Sequence, residues 1–314
     1  MNGSGPGSDG GDSMSERRFN WAGVEWITLG LIVACYLAWW VALWWLPELN
    51  GALAVLVVGV LIAFHASLTH EVLHGHPFRS KFANEMTMFL PLNLFIPYNR
   101  FRDTHLAHHR DALLTDPYDD PESNFLDPAV WQSMPMWKRA LYRVNNTLLG
   151  RIVVGPAIGQ TCFTVNDVRA MARGEGAVIW AWFLHVPGVA LVIWAVMASP
   201  MSVWAYVLAA YFGLGLLKIR TFLEHRAHEK SRARTVIIED RGPLAWLFLF
   251  NSLHVVHHMH PGASWYDLPR LYRSGKDRYL ASNDAYVFRS YGQVFRQYFL
   301  RAKDPVPHPL WPRG

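Results

Sequence analysis

Three histidine clusters dominate the chemistry open to this 314-residue chain. They read H-E-V-L-H over His70–His74, H-L-A-H-H over His105–His109 and H-V-V-H-H over His254–His258, with H-R-A-H at His225 and His228 between the last two. Spacings of three and four residues bring side chains onto one face of a helix. Neutral imidazole is a ligand for zinc, copper, iron and nickel. Surface solvation does not account for boxes this compact, so their histidines are read as metal ligands. The first box alone also matches the zinc-protease pattern, with Glu71 as general base between His70 and His74. A catalytic zinc, however, uses three protein ligands and keeps one position open, and Ser80 stands where the extended protease motif has its third histidine. One zinc leaves most of the imidazoles without a role. Two metal ions use them, and two octahedral irons with a place left for oxygen accommodate the inventory.

The elements that position these boxes are membrane helices. Trp26 to Pro47, Leu49 to His70 and Gly176 to Leu217 contain no Asp, Glu, Lys or Arg, and the last run is long enough for two spans. A span needs about 20 apolar residues to cross a hydrocarbon core of about 30 Å. The pattern predicts four transmembrane helices near 24–46, 51–74, 177–199 and 202–224, arranged as two hairpins turning at Leu46–Gly51 and Ala198–Ser202. All 29 Lys and Arg lie outside those turns. The positive-inside rule therefore assigns both termini, and every histidine box, to the cytoplasmic side. Met86–Tyr98, interrupted by Pro91 and Pro97, and Pro243–Leu253 are apolar but too short to span, which suits segments lying in the interface. Trp131, Trp137 and Trp246 suit anchors at headgroup level. The expectation is an all-α integral membrane protein in which a cytoplasmic helical cap holds the metals.

Composition narrows the alternatives. A formal charge of +5, without a basic stripe interleaved with aromatics, fits anionic headgroups rather than nucleic acid. Two cysteines, Cys35 and Cys162, exclude a self-contained four-thiolate iron–sulfur cluster and argue against a disulfide scaffold. Residues 1–20 read as a disordered tail without a cleavage signal, so the first span is expected to be retained. Residues 301–314 read as a Pro-rich tail in which His308 is solvated. His185 is read as a packing group in the third span, His65 as a maker of a local hydrogen bond, and Gly213–Gly215 as a site of close helix approach.

The same boxes carry a family resemblance. H-E-V-L-H, D-T-H-L-A-H-H with T-D-P at Thr115–Pro117, T-F-L-E-H closing the fourth helix, and N-S-L-H-V-V-H-H-M-H-P agree in order and spacing over His70 to Pro261. In these the chain resembles the membrane fatty acid desaturase and hydroxylase superfamily, which includes carotenoid ketolases. The resemblance extends the domain over 21–300. It implies a non-haem di-iron centre that uses O2 to attack an unactivated C–H bond of a lipid or acyl substrate. Carried over by residue, the ligands are His70, His74, His105, His108, His109, His254, His257 and His258, with His225 as the additional one and His228 as its rival. Asn251 is placed to hold a metal-bound water. Asp103, Glu71 and Glu224 are candidates to orient the ligands, and His76 and His260 lie beside them. The implied activity is fatty acyl desaturation, with carotenoid ketolation or hydroxylation, or alkane hydroxylation, as the alternative. No flavin, haem or iron–sulfur motif is visible, so an external ferredoxin or cytochrome with its reductase is expected to dock on the basic face, where Arg100, Arg102, Arg110 and Arg232 contribute.

Overall fold

The computed structural model describes residues 23–109 and 111–311. The 1–20 tail and Arg110 lie outside the described residues. The chain opens with α1 (Trp26–Leu49) and α2 (Gly51–Leu73) and continues through α3 (Lys81–Thr87), α4 (Tyr98–His108), α5 (Pro128–Ser133), α6 (Met136–Asn145), α7 (Leu148–Val153) and α8 (Gly155–Ala172). It returns with α9 (Gly176–Ala198) and α10 (Val203–Thr221), then α11 (Pro243–Leu247), α12 (His254–Met259), α13 (Leu268–Ser274), α14 (Lys276–Ser282) and α15 (Tyr291–Tyr298). Two-residue strands, β1 (Ile237–Ile238) and β2 (Val287–Phe288), pair in parallel.

Four helices, α1, α2, α9 and α10, are long and apolar enough to cross a membrane. Their uncharged runs leave the backbone no better option in hydrocarbon than to satisfy its own N–H and C=O groups. Capping residues set the turns. Asn50 ends α1 by donating its N–H to the Leu46 carbonyl (2.8 Å) and starts α2 by accepting the Leu53 N–H on its side chain (3.0 Å). Ser202 starts α10 by accepting the Ala205 N–H (3.2 Å). The core lies along α2, which packs against both α1 and α10. A Cβ at Gly213 would sit 2.7 Å from the Gly59 carbonyl oxygen, so this contact between α2 and α10 requires glycine. α10 stops at Thr221, short of the expected residue 224, and the chain then extends so that His225 bridges to Thr235.

The segment after α3 differs from expectation. Met86–Tyr98 does not lie flat in the interface: its central part enters the bundle. Leu92 is fully buried in one cluster with Leu43, Val58, Ile62, Val196 and Tyr206. Those residues belong to the late turns of α1 and α9, the first half of α2 up to its midpoint at Ile62, and the early turns of α10, away from the helix ends that carry the histidines. Irregular backbone is tolerated at that depth only where protein satisfies its polar groups. Here Tyr36 donates to the Thr87 carbonyl (2.9 Å), Tyr206 to Leu92 (2.9 Å), His185 to Leu94 (3.0 Å) and Gln160 to Phe95 (3.1 Å). Asn93 accepts the N–H groups of Phe95 and Ile96 on its side chain. His185 is thus a packing residue, with a loop carbonyl as its partner. The expected local bond of His65 is instead a 2.9 Å contact with the Tyr36 hydroxyl on the neighbouring helix.

Pro243–Leu253 is also more enclosed than an interfacial segment: Ala245, Phe248 and Leu249 are buried, while Pro243 and Trp246 project outward. The C-terminal segment packs against the histidine end. Leu126 and Val306 share a backbone hydrogen bond (3.0 Å), and Lys303 donates its N–H to Asn146 (3.1 Å). His308 is 7% exposed and lies 3.2 Å from Thr115 Oγ1, so it is not solvated. The segment gains a β-bridge between Leu126 and Pro307 that its composition did not announce.

Candidate metal centre

Each box is delivered by a helix end. His70 occupies the last turn of α2 and His74 is its C-cap. His105 and His108 lie on α4, with His109 as its C-cap. His254, His257 and His258 lie on α12. His225 lies four residues beyond the end of α10. α4 is held in place by Arg100, whose guanidinium grips Asp167 on α8 at 2.8–3.1 Å while Trp182 on α9 donates to the same carboxylate (2.8 Å).

The nine histidines form two groups. His70, His74, His105, His109 and His257 make one; His108, His225, His254 and His258 make the other; within each, one ring nitrogen per residue lies within 4.8 Å of all the rest. Successive residues of a helix point about 100° apart. Hence the neighbours His108 and His109 serve different groups, as do His257 and His258, and the groups adjoin. The rings of His109 and His258 stack at 4.2 Å across the boundary.

The nitrogens of each group converge. His108 Nε2 is 2.8 Å and His254 Nε2 3.1 Å from His225 Nε2; His105 Nε2 is 3.0 Å and His257 Nε2 3.1 Å from His109 Nε2. Two nitrogens bound at right angles to one ion at about 2.1 Å stand about 3 Å apart, so the spacing suits shared ligation. His70 Nε2 and His74 Nε2 are buried with no hydrogen-bond partner, an arrangement that is costly unless an ion occupies the site. Burial, followed by the neighbouring imidazoles, pushes His74 down to about 2 and holds His109, His225, His254 and His257 below the ordinary histidine range. They are therefore neutral, as ligands must be. His108 is the exception: burial opposes its charge, yet Glu122 and Asp120 outweigh it and push His108 up to about 9.

The outward ring nitrogens are held as metal-binding imidazoles usually are. Asp120 lies 2.7 Å from His108 Nδ1, Glu122 2.9 Å from His105 Nδ1, and Asn251 Oδ1 3.2 Å from His254 Nδ1. Asp120 and Glu122 were absent from the sequence-based set; their signal was the D-D-P-E run at Asp119–Glu122, close behind Thr115–Pro117. Asp103 corrects the expectation in the other direction. It turns outward to pair with Arg102 (2.9 Å), because its position on α4 faces away from the imidazoles. Glu71 accepts the Trp265 N–H (3.1 Å) and stays 3.7 Å from His70 Nδ1, so it serves as a brace rather than as a free base. Glu224 pairs with Arg220 (3.1 Å) and is 3.9 Å from His254.

His228 is not in either group. It faces Asp284 at 3.4 Å and accepts the Lys230 N–H. His76 pairs with Glu25 (2.9 Å) and His260 contacts the Tyr279 hydroxyl (3.1 Å), both away from the cluster nitrogens. Arg100 pairs with Asp167 (2.8 Å) and Arg102 with Asp103 (2.9 Å).

Residues 49–290 match the sequence profile of the family described as fatty acid desaturase. A beta-carotene ketolase of Paracoccus sp. (strain PC1) is 26% identical over 280 residues, which cover 83% of this chain and 99% of that protein. A beta-carotene ketolase of Paracoccus sp. (strain N81106 / MBIC 01143) is 28% identical over 258 residues, 77% of this chain and 90% of that protein.

Proposed function

Because this chain belongs to the fatty acid desaturase family, we propose that it is an integral membrane oxidoreductase that uses O2 and two histidine-bound irons to oxidise an unactivated C–H bond of a long apolar lipid. The observation that carries the reading is the division of nine histidines into two adjoining groups where the apolar helices end. His70, His74, His105, His109 and His257 would hold one iron, and His108, His225, His254 and His258 the other. Bound there, the metals supply the reduction of O2. The chain's own residues do the rest: Asp120 and Glu122 hold the Nδ1 protons of His108 and His105 and so fix which nitrogen faces the metal, Asn251 does the same for His254, and Leu68, Val72, Met88, Leu249 and Trp265 exclude water beside α2.

The primary reading is desaturation of an acyl chain, in which two hydrogens leave adjacent carbons and O2 becomes two waters, with two electrons from an external ferredoxin or cytochrome and two protons from the aqueous phase. Carotenoid ketolation is the second reading, favoured by the two ketolase relatives that align over nearly their whole length. The orientation follows from the charge pattern: two hairpins, with termini and metal cap facing the cytoplasm and the reductant. Expression with a compatible reductant, followed by mass spectrometry of lipids and pigments and by metal analysis, tests this reading. Two irons per chain and an oxidised lipid or carotenoid support it; a fully active preparation with one zinc and no iron overturns it.

A further inference from the structure

A cavity of about 280 Å³ reaches His258 from the surface of the histidine end. Ser231, Arg232, Thr235, Met259 and Ser282 line it with His258. Leu114, Val255 and Met259 make part of the wall apolar, but three hydroxyls and a guanidinium give a polar side that water can wet, and one water needs only about 10–15 Å³ of such space. The rim is preformed. Arg226 donates its backbone N–H to the Arg234 carbonyl (2.8 Å) and its side chain to the Ala233 carbonyl (3.0 Å), and Arg234 reaches the Leu114 carbonyl on the far wall (2.5 Å).

Of the other ligands, His74, His109 and His225 are half-buried and the remaining five are enclosed. His70, His105, His108, His254 and His257 are all 1–2% exposed, and the side toward α2 is the apolar cluster of Leu68, Val72, Met88, Leu249 and Trp265. The chemistry proposed above nevertheless requires aqueous exchange. Converting CH2–CH2 to CH=CH with one O2 forms two waters and takes up two electrons and two protons from outside. Each oxygen insertion by a hydroxylase or ketolase likewise consumes two protons and releases a water. We infer that the cavity beside His258 is the aqueous port of the centre, through which protons enter and product water leaves. This rests on the di-iron reading, and holds for either fate of the substrate. Ser231 and Thr235 are its relay hydroxyls, Ser282, whose hydroxyl donates to the Tyr279 carbonyl (2.7 Å), lines its wall, and Arg232 keeps its mouth hydrated.

The test uses the full chain in detergent. Metal content is read first: a chain that binds no iron defeats the di-iron reading and the port with it. In iron-loaded protein on a Cys162→Ser background, Ser282→Cys should react with a charged, membrane-impermeant thiol reagent; an unreactive thiol there defeats the port alone. Ser282→Trp and Ser231→Trp, made separately, fill the cavity while leaving every histidine of the chain in place. Both should retain two irons per chain, release iron to a water-soluble ferrous chelator about tenfold more slowly, and lose turnover with KM for the lipid unchanged. Wild-type chelation and turnover rates in an iron-loaded, filled variant would overturn the assignment.

Discussion

His225 and His228 sit three residues apart, yet only His225 faces the cluster nitrogens; His228 turns to Asp284. His225→Ala should therefore lose iron and activity, whereas His228→Ala should keep both near wild type, as read by elemental analysis and turnover. Asp120 acts one step further out. Asp120→Asn keeps the shape but weakens the hold on His108 Nδ1, and should cost about 10–100-fold in metal affinity or activity. The same residue sets a pH dependence. Glu122 and Asp120 push His108 up to about 9 against its burial, so below that pH a metal must displace a proton. Uptake should strengthen by about tenfold per unit through the neutral range, and this slope should flatten in Asp120→Asn; competition with a calibrated chelator at several pH values measures it. The boxes were legible because helical spacing fixes which side chains share a face. Asp120 and Glu122 were not, because a loop with no period carries them. His308 was misread for the opposite reason: composition describes a tail but not what it packs against.

At the scale of elements, the four long helices and the turns within Leu46–Gly51 and Ala198–Ser202 could be read from charge-free runs, since in hydrocarbon these leave few alternatives. The inward path of residues 88–97 could not. Pro91 and Pro97 announced a break, but the groups that make a buried break tolerable are Tyr36, Gln160, His185 and Tyr206, each on a different helix and far away in sequence. Tyr206→Phe strips the Leu92 carbonyl of its donor and should destabilise the protein by about 1–3 kcal/mol, the cost of an unmet buried acceptor, measured as a lower melting temperature in detergent at unchanged iron content. Leu92→Cys should resist aqueous thiol reagents from both sides of the membrane. Rapid labelling from the side of the metal cap would return the segment to the interface.

For the whole molecule, orientation and substrate remain to be joined. The Lys and Arg pattern predicts that a reporter fused after Gly314 is active only in the cytoplasm, and that Asn50→Cys and Ser202→Cys label from outside intact cells while Ala112→Cys does not. Outside labelling of Ala112→Cys would separate the metal cap from cytoplasmic reductant. Substrate fate is set more finely. Desaturation and oxygen insertion both begin by removing hydrogen from a C–H bond, and differ in whether the neighbouring carbon then loses a second hydrogen or the first gains oxygen. Small displacements of the substrate relative to the metals decide between them, at a scale that ligand geometry does not fix. The histidine inventory was therefore legible in sequence to the level of chemistry, not to the level of product. With acyl lipid, O2 and a ferredoxin or cytochrome supplied, desaturation yields chains two mass units lighter with a new double bond. A carotenoid that gains a keto oxygen while the acyl chains stay unchanged would assign the chain to the chemistry named for its Paracoccus relatives, with the same nine histidines in the same roles.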